Sequence, residues 1–145
     1  MRFVVACALL LAACGGTAAS EPTDATTATP NPASTTTGAE GNKCAHVRAV
    51  TVTADGAGTF TFEVTVASTD TGWEKYADAW EVRDPDGAVL GERVLAHPHE
   101  TEQPFTRSVS GVVIPSDVTE VTVAAHDLVL GFCGEELTVA VPHDT

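Results

Sequence analysis

Basic residues are scarce in this chain. Lys and Arg total 7 against 20 Asp and Glu, a formal net charge of −13 over 145 residues. Such a field repels phosphate backbones and anionic headgroups, which argues against nucleic acid and anionic lipid as partners and favours solubility, cations or basic partners. Methionine is absent after Met1, so no thioether-rich stretch suits Cu(I). No Gly-x-Ser-x-Gly elbow is present, no phosphate-cradling glycine loop leads into a helix, and no carboxylate pair stands apart from a solvated acidic face. These absences leave a non-enzymatic role as the expectation. A long apolar run is missing too: Phe3 to Leu11 is too short to cross about 30 Å of hydrocarbon as a helix.

That short run has another reading. In "MRFVVACALLLAACGG", Arg2 supplies a positive charge, Phe3 to Leu11 an apolar segment, and Leu11 to Cys14 the small residues of a processing site. The pattern is that of a signal peptide, residues 1–13, to be set aside from fold reasoning. "LAAC" followed by "GG" resembles the lipobox of bacterial lipoproteins. The resemblance implies cleavage before Cys14, fatty acyl chains of the palmitate kind on its thiol, and a membrane-anchored place in the cell envelope (the outer membrane in a Gram-negative cell). "VVAC", ending at Cys7, fits the same short pattern but leaves no apolar segment before it. Several acyl chains anchor stably where one is marginal.

The remaining cysteines follow by subtraction. Of four, Cys7 leaves with the signal and Cys14 carries lipid, so Cys44 and Cys133 are left as a pair in an oxidising compartment. A disulfide between them is the expectation, and two unpaired thiols the alternative. From the lipidated cysteine to Asn42 the chain is Thr, Ala, Ser, Pro and Gly without an apolar period, so residues 14–42 form no core and read as a disordered tether. A flexible chain of that length spans about 30 Å between its ends.

Residues 43–145 read as one domain, and period two dominates it. Thr59 to Val66 is the clearest case: Phe60, Phe62, Val64 and Val66 share one face, and Thr59, Thr61, Glu63 and Thr65 the other. Similar segments run over 46–53, 79–83, 88–95, 105–114, 119–126 and 136–141. "ADGAG", "DPDG" and "PSD" are tight-turn chemistry. The spacing predicts an all-β, seven-stranded antiparallel sandwich. "AWEV" before "DPDG", with the closing "VTVAAHD…G…LTVAVP", resembles an immunoglobulin-like or fibronectin type III-like module. The cysteines depart from antibody domains, since neither lies on the second or sixth strand. The resemblance implies that the chain's point of arrival and the second, fourth and sixth loops share one pole, where Cys44 could reach Cys133.

That pole holds the long loops: "STDTGWEKYAD", "AHPHETEQP" and "DLVLGFCGE". Function concentrates on loops that a rigid scaffold positions, so Trp73, Tyr76, Phe132 and Asp127 are candidate binding residues for a protein or glycan partner. Trp73 and Tyr76 either form a ligand platform or fold their loop back over the core, the second being the simpler expectation. His46, His97, His99 and His126 fall at the same pole. Pro98 biases His97 towards extended geometry, so this set is a candidate site for copper or zinc, with Asp70, Asp78, Glu100 and Asp127 near. The competing expectation is that His97 and His99 only stitch their loop to its neighbours. The small periplasmic copper carriers resemble the chain in sandwich class and histidine use, but use a free amino-terminal histidine that a lipidated terminus lacks.

Overall fold

The computed structural model describes residues 43–143. The signal peptide, Cys14 and the tether assigned above lie outside the described residues. Seven strands follow one another: β1 (His46–Gly56), β2 (Thr59–Ala67), β3 (Ala77–Arg83), β4 (Val89–Val94), β5 (Phe105–Val113), β6 (Glu120–Asp127) and β7 (Leu137–Ala140). All pairings are antiparallel. They form two sheets, of order β1-β2-β5 and β4-β3-β6-β7. No described residue is in an α-helix.

The period-two faces fall as expected. Phe60, Phe62, Val64 and Val66 are all buried, as are Trp80 and Val82 on β3 and Val121, Val123 and Ala125 on β6. These side chains meet between the sheets in one core cluster. Alternation is the cause, because a strand with one apolar face can bury it only against another such face. β7 contributes least, with Leu137 and Val139 half-buried at a sheet edge.

The short connections carry the turn chemistry expected of them. Asp84 Oδ1 accepts the N–H groups of Asp86 and Ala88, at 2.9 and 2.8 Å, and closes the β3–β4 turn. Gly87 follows at φ +87°, which favours glycine. Because strands alternate in direction, the β1–β2, β3–β4 and β5–β6 turns occupy one pole. The β2–β3, β4–β5 and β6–β7 loops occupy the other, together with the start of β1.

Candidate functional site

The long loops of that second pole are stitched to each other from within. Cys44 and Cys133 are bonded, with Cα atoms 5.5 Å apart, joining the segment before β1 to the β6–β7 loop. Beside the bridge, Gly134 passes so close to Ala45 that a Cβ on it would lie 1.9 Å from the Ala45 carbonyl oxygen. The Val47 N–H then donates to Glu135 O at 2.9 Å, and Arg48 pairs with the Glu135 carboxylate.

Asp70 ties the β2–β3 loop to the β4–β5 loop. Its fully buried carboxylate accepts the Ala77 N–H through Oδ1 at 3.0 Å and the His99 N–H through Oδ2 at 2.8 Å. Gln103 adds a second stitch, its Oε1 accepting the Ser68 N–H and its amide donating to His99 O. The Gln103–Pro104 peptide is cis. Asp70 stood out in the sequence only as one acid among several; a carboxylate that satisfies two loops' backbone donors has no local signature.

Asp127 is corrected from a binding residue to an organiser. It has no exposure at all. Lys75 Nζ lies 2.6 Å from its Oδ2, and its Oδ1 accepts the N–H groups of Val129 and Leu130, each at 3.0 Å. Backbone bonds in both directions between Asp127 and Gly131 close the turn, with Gly131 at φ +71°. An aspartate that caps a turn with its own carboxylate is a common local solution; here burial adds the requirement for a cation.

The turn held by Asp127 projects Leu128, Val129 and Leu130 into solvent, and Phe132 follows, 41% exposed. Phe132 sits edge-on to His126, 4.7 Å between centroids, with the Arg83 guanidinium 4.0 Å over its ring. Across the pole Trp73 is 66% exposed and meets Tyr76 edge-on at 6.0 Å. The β2–β3 loop therefore does not fold its tryptophan over the core, which Phe60, Phe62, Trp80 and Phe105 already fill. Leu128 N–H donates to Tyr76 O, which joins the two apolar loops. Among the described residues, five of the eight large hydrophobic side chains left exposed lie on these two loops: Trp73, Leu128, Val129, Leu130 and Phe132. Trp73 and Phe132 are the members expected from the sequence; Leu128, Val129 and Leu130 join them, and three consecutive apolar residues in a loop are the signal for it.

The histidines do not converge on one point. His46 Nδ1 accepts the Glu135 N–H at 3.0 Å. His126 Nδ1 lies 2.5 Å from Asp78 Oδ1 on the neighbouring strand β3. Only His97 and His99 come together, with ring centroids 4.6 Å apart. His99 continues the stack onto Phe105 at 3.8 Å and 13°. Among the described residues no group of three or more His, Cys, Asp or Glu is placed to hold a metal. The copper or zinc set of His97, His99, His126 and His46 is therefore corrected: a shared pole brings loops together, but the Glu135 N–H and the Asp78 carboxylate aim His46 and His126 at separate partners, away from the His97–His99 pair.

His99 is buried, and burial is the main reason its pKa lies below 6.5, with the Arg107 and His97 charges adding to the effect and Asp70 and Glu102 opposing it. Glu102 is held below the usual carboxylate range chiefly by its hydrogen bond from Arg107.

No family model matches this sequence. No solved structure matches it. The chain is similar to a protein of Halomicrobium mukohataei named "Putative lipoprotein", with 39% identity over 95 residues, 66% of this chain. It spans about half of that curated relative's length, 46%.

Proposed function

We propose that this protein is a membrane-anchored lipoprotein of the cell envelope. Its β-sandwich acts as a non-enzymatic binding module that engages a protein partner through the loop-rich pole. The anchor rests on the "LAAC" motif ending at Cys14 and on similarity to a protein that carries the lipoprotein name. The order β1-β2-β5 and β4-β3-β6-β7 supports an immunoglobulin-like or fibronectin type III-like reading of the module, with the fourth strand paired to the third instead of joining the first sheet as in antibody constant domains.

One observation carries the binding reading: among the described residues, five of the eight exposed large hydrophobic side chains are gathered on two adjoining loops of one pole. Exposed apolar side chains grouped in this way mark interaction sites more often than scattered ones do. Aliphatic Leu128, Val129 and Leu130 favour a protein surface over a glycan, since sugars need polar partners beside any aromatic face.

Two experiments test it. Cys14→Ser should release the protein from the membrane fraction and abolish incorporation of a labelled fatty acid; retention of both sinks the anchor. A photo-crosslinking side chain at Val129 in the full chain, in its own membrane, should give a discrete protein adduct that the same side chain at Asp117 on the opposite pole does not. Equal labelling from both positions, or none, sinks the binding reading.

A further inference from the structure

The two sheets leave a cleft where the edge strands β4 and β5 approach each other. It has a volume of about 240 Å³, and Arg93, Arg107, His97 and His99 line it beside apolar Val94 and Leu95. No carboxylate lines it. In a chain of net charge −13 that is a notable lining. Residues 43–145 contain four arginines, Arg48, Arg83, Arg93 and Arg107, and two of them flank this one cleft.

The His99 side chain is only 1% exposed, and neither of its ring nitrogens has a hydrogen-bond partner. Its Nδ1 stops 3.9 Å from Asp70 Oδ2, beyond hydrogen-bond length. That oxygen already accepts the His99 backbone N–H. A buried polar group without a partner is costly, and a side chain that leaves two of them needs a reason. Phe105 stacks below the ring, and His97 lies over it at a tilt of 37°.

We propose that this cleft binds a small carboxylate-bearing molecule. Arg93 and Arg107 meet the carboxylate, and His99, whose ring nitrogens are closed off in the free protein, turns a ring N–H onto it as the ligand seats. A guanidinium presents two parallel donors to a carboxylate, which suits it to this class of anion. The volume lies below the roughly 300–1,000 Å³ of pockets for drug-sized ligands, so the body of the ligand is small and rests on Val94 and Leu95. Arg93 has no ion pair among the described residues. Arg107 is occupied at present by Glu102, through Nη2–Oε2 at 2.9 Å and Nη1–Oε1 at 3.3 Å. Glu102 is more than half exposed, so its carboxylate stands in for the ligand's and can be displaced by it. The site depends on neither the lipid anchor nor the apolar pole.

The test uses the full chain with Cys14→Ser, so that any acyl anchor plays no part. Propionate and glucuronate are titrated by calorimetry and by NMR of the His99 ring, with propionamide and glucose as uncharged matches. Expected are binding of at least one carboxylate, a shift of the His99 ring resonances, and neither effect from the uncharged partner. Arg93→Ala should weaken binding about 10- to 100-fold, the scale of one charge-assisted hydrogen bond. Glu102→Gln should strengthen it by freeing Arg107; as an exposed pair, its loss leaves the fold intact. His99→Phe keeps the stack and should weaken binding while the domain stays folded. Equal response to the charged and uncharged molecules, or a carboxylate affinity unchanged by both Arg93→Ala and Glu102→Gln, overturns the proposal.

Discussion

Lys75 Nζ lies 2.6 Å from Asp127 Oδ2, an ion pair whose carboxylate is wholly buried and whose ammonium is mostly so. It joins the β2–β3 loop to the end of β6. The other carboxylate oxygen holds the turn that displays Leu128, Val129 and Leu130. One pair therefore supports both halves of the candidate binding surface. Removing one partner of a buried pair strands the other and costs about 3–5 kcal/mol. Asp127→Ala and Lys75→Ala should each lower stability on that scale in urea unfolding. The double variant should lose much less than the sum, because no charge is then left unpaired.

The Cys44–Cys133 bridge spans a sequence separation of 89. In the chain-entropy model a loop of that size stabilises by roughly 4–5 kcal/mol. The double Cys→Ser variant should unfold at a correspondingly lower urea midpoint, and the native protein should match it once reduced. A native protein indifferent to reductant would show that packing of Ala45 against Gly134, not the covalent link, holds the pole together.

Gly134→Ala should be poorly tolerated. Its Cβ would meet the backbone of Ala45 at 1.9 Å, and a backbone cannot yield as a flexible side chain can. Overpacking costs typically 1–3 kcal/mol and at times more. The same substitution at Gly87 is strained by its φ of +87° but meets no atom, so its loss should be the smaller of the two in thermal unfolding.

His99 links stability to pH. Its folded pKa lies below 6.5 because burial disfavours the charged ring, so between the two values the unfolded chain binds more protons than the folded one. Stability from the neutral ring is thus fully present above about pH 6.5 and declines as pH falls through the folded pKa. His99→Phe should flatten this part of the profile. It should also raise stability near pH 5.5, or leave it unchanged, since two unpartnered polar atoms leave the core with the imidazole. Urea midpoints of the two proteins across pH 5 to 8 check both points.

All seven strands were legible in the chain, because what makes them is local. Phe60, Phe62, Val64 and Val66 alternate with polar residues over one short segment, and "DPDG" carries its turn in its own stereochemistry. The boundaries moved by one to three residues, as with β1 reaching Gly56 where its pattern fades at Thr53. The shared pole of the long loops was legible as well, since antiparallel strands joined in order must alternate their connections.

What each polar side chain does at that pole was decided by the fold alone. Nothing within a few residues of Asp127 says that Lys75, 52 positions earlier, will meet it in the interior. Nothing near His126 names Asp78, and nothing near His99 names Phe105 as the ring beneath it. Alternation and turn chemistry act over neighbouring residues, so the sequence by itself determined the sandwich and its loop-rich end. The burial and partners of a loop residue depend on which distant segments the folded sheets bring alongside it. That is why the candidate histidine set did not converge, His46 and His126 taking separate partners while His97 and His99 pack together over Phe105, and why a cleft between two sheet edges, flanked by arginines 14 positions apart, appeared only in three dimensions.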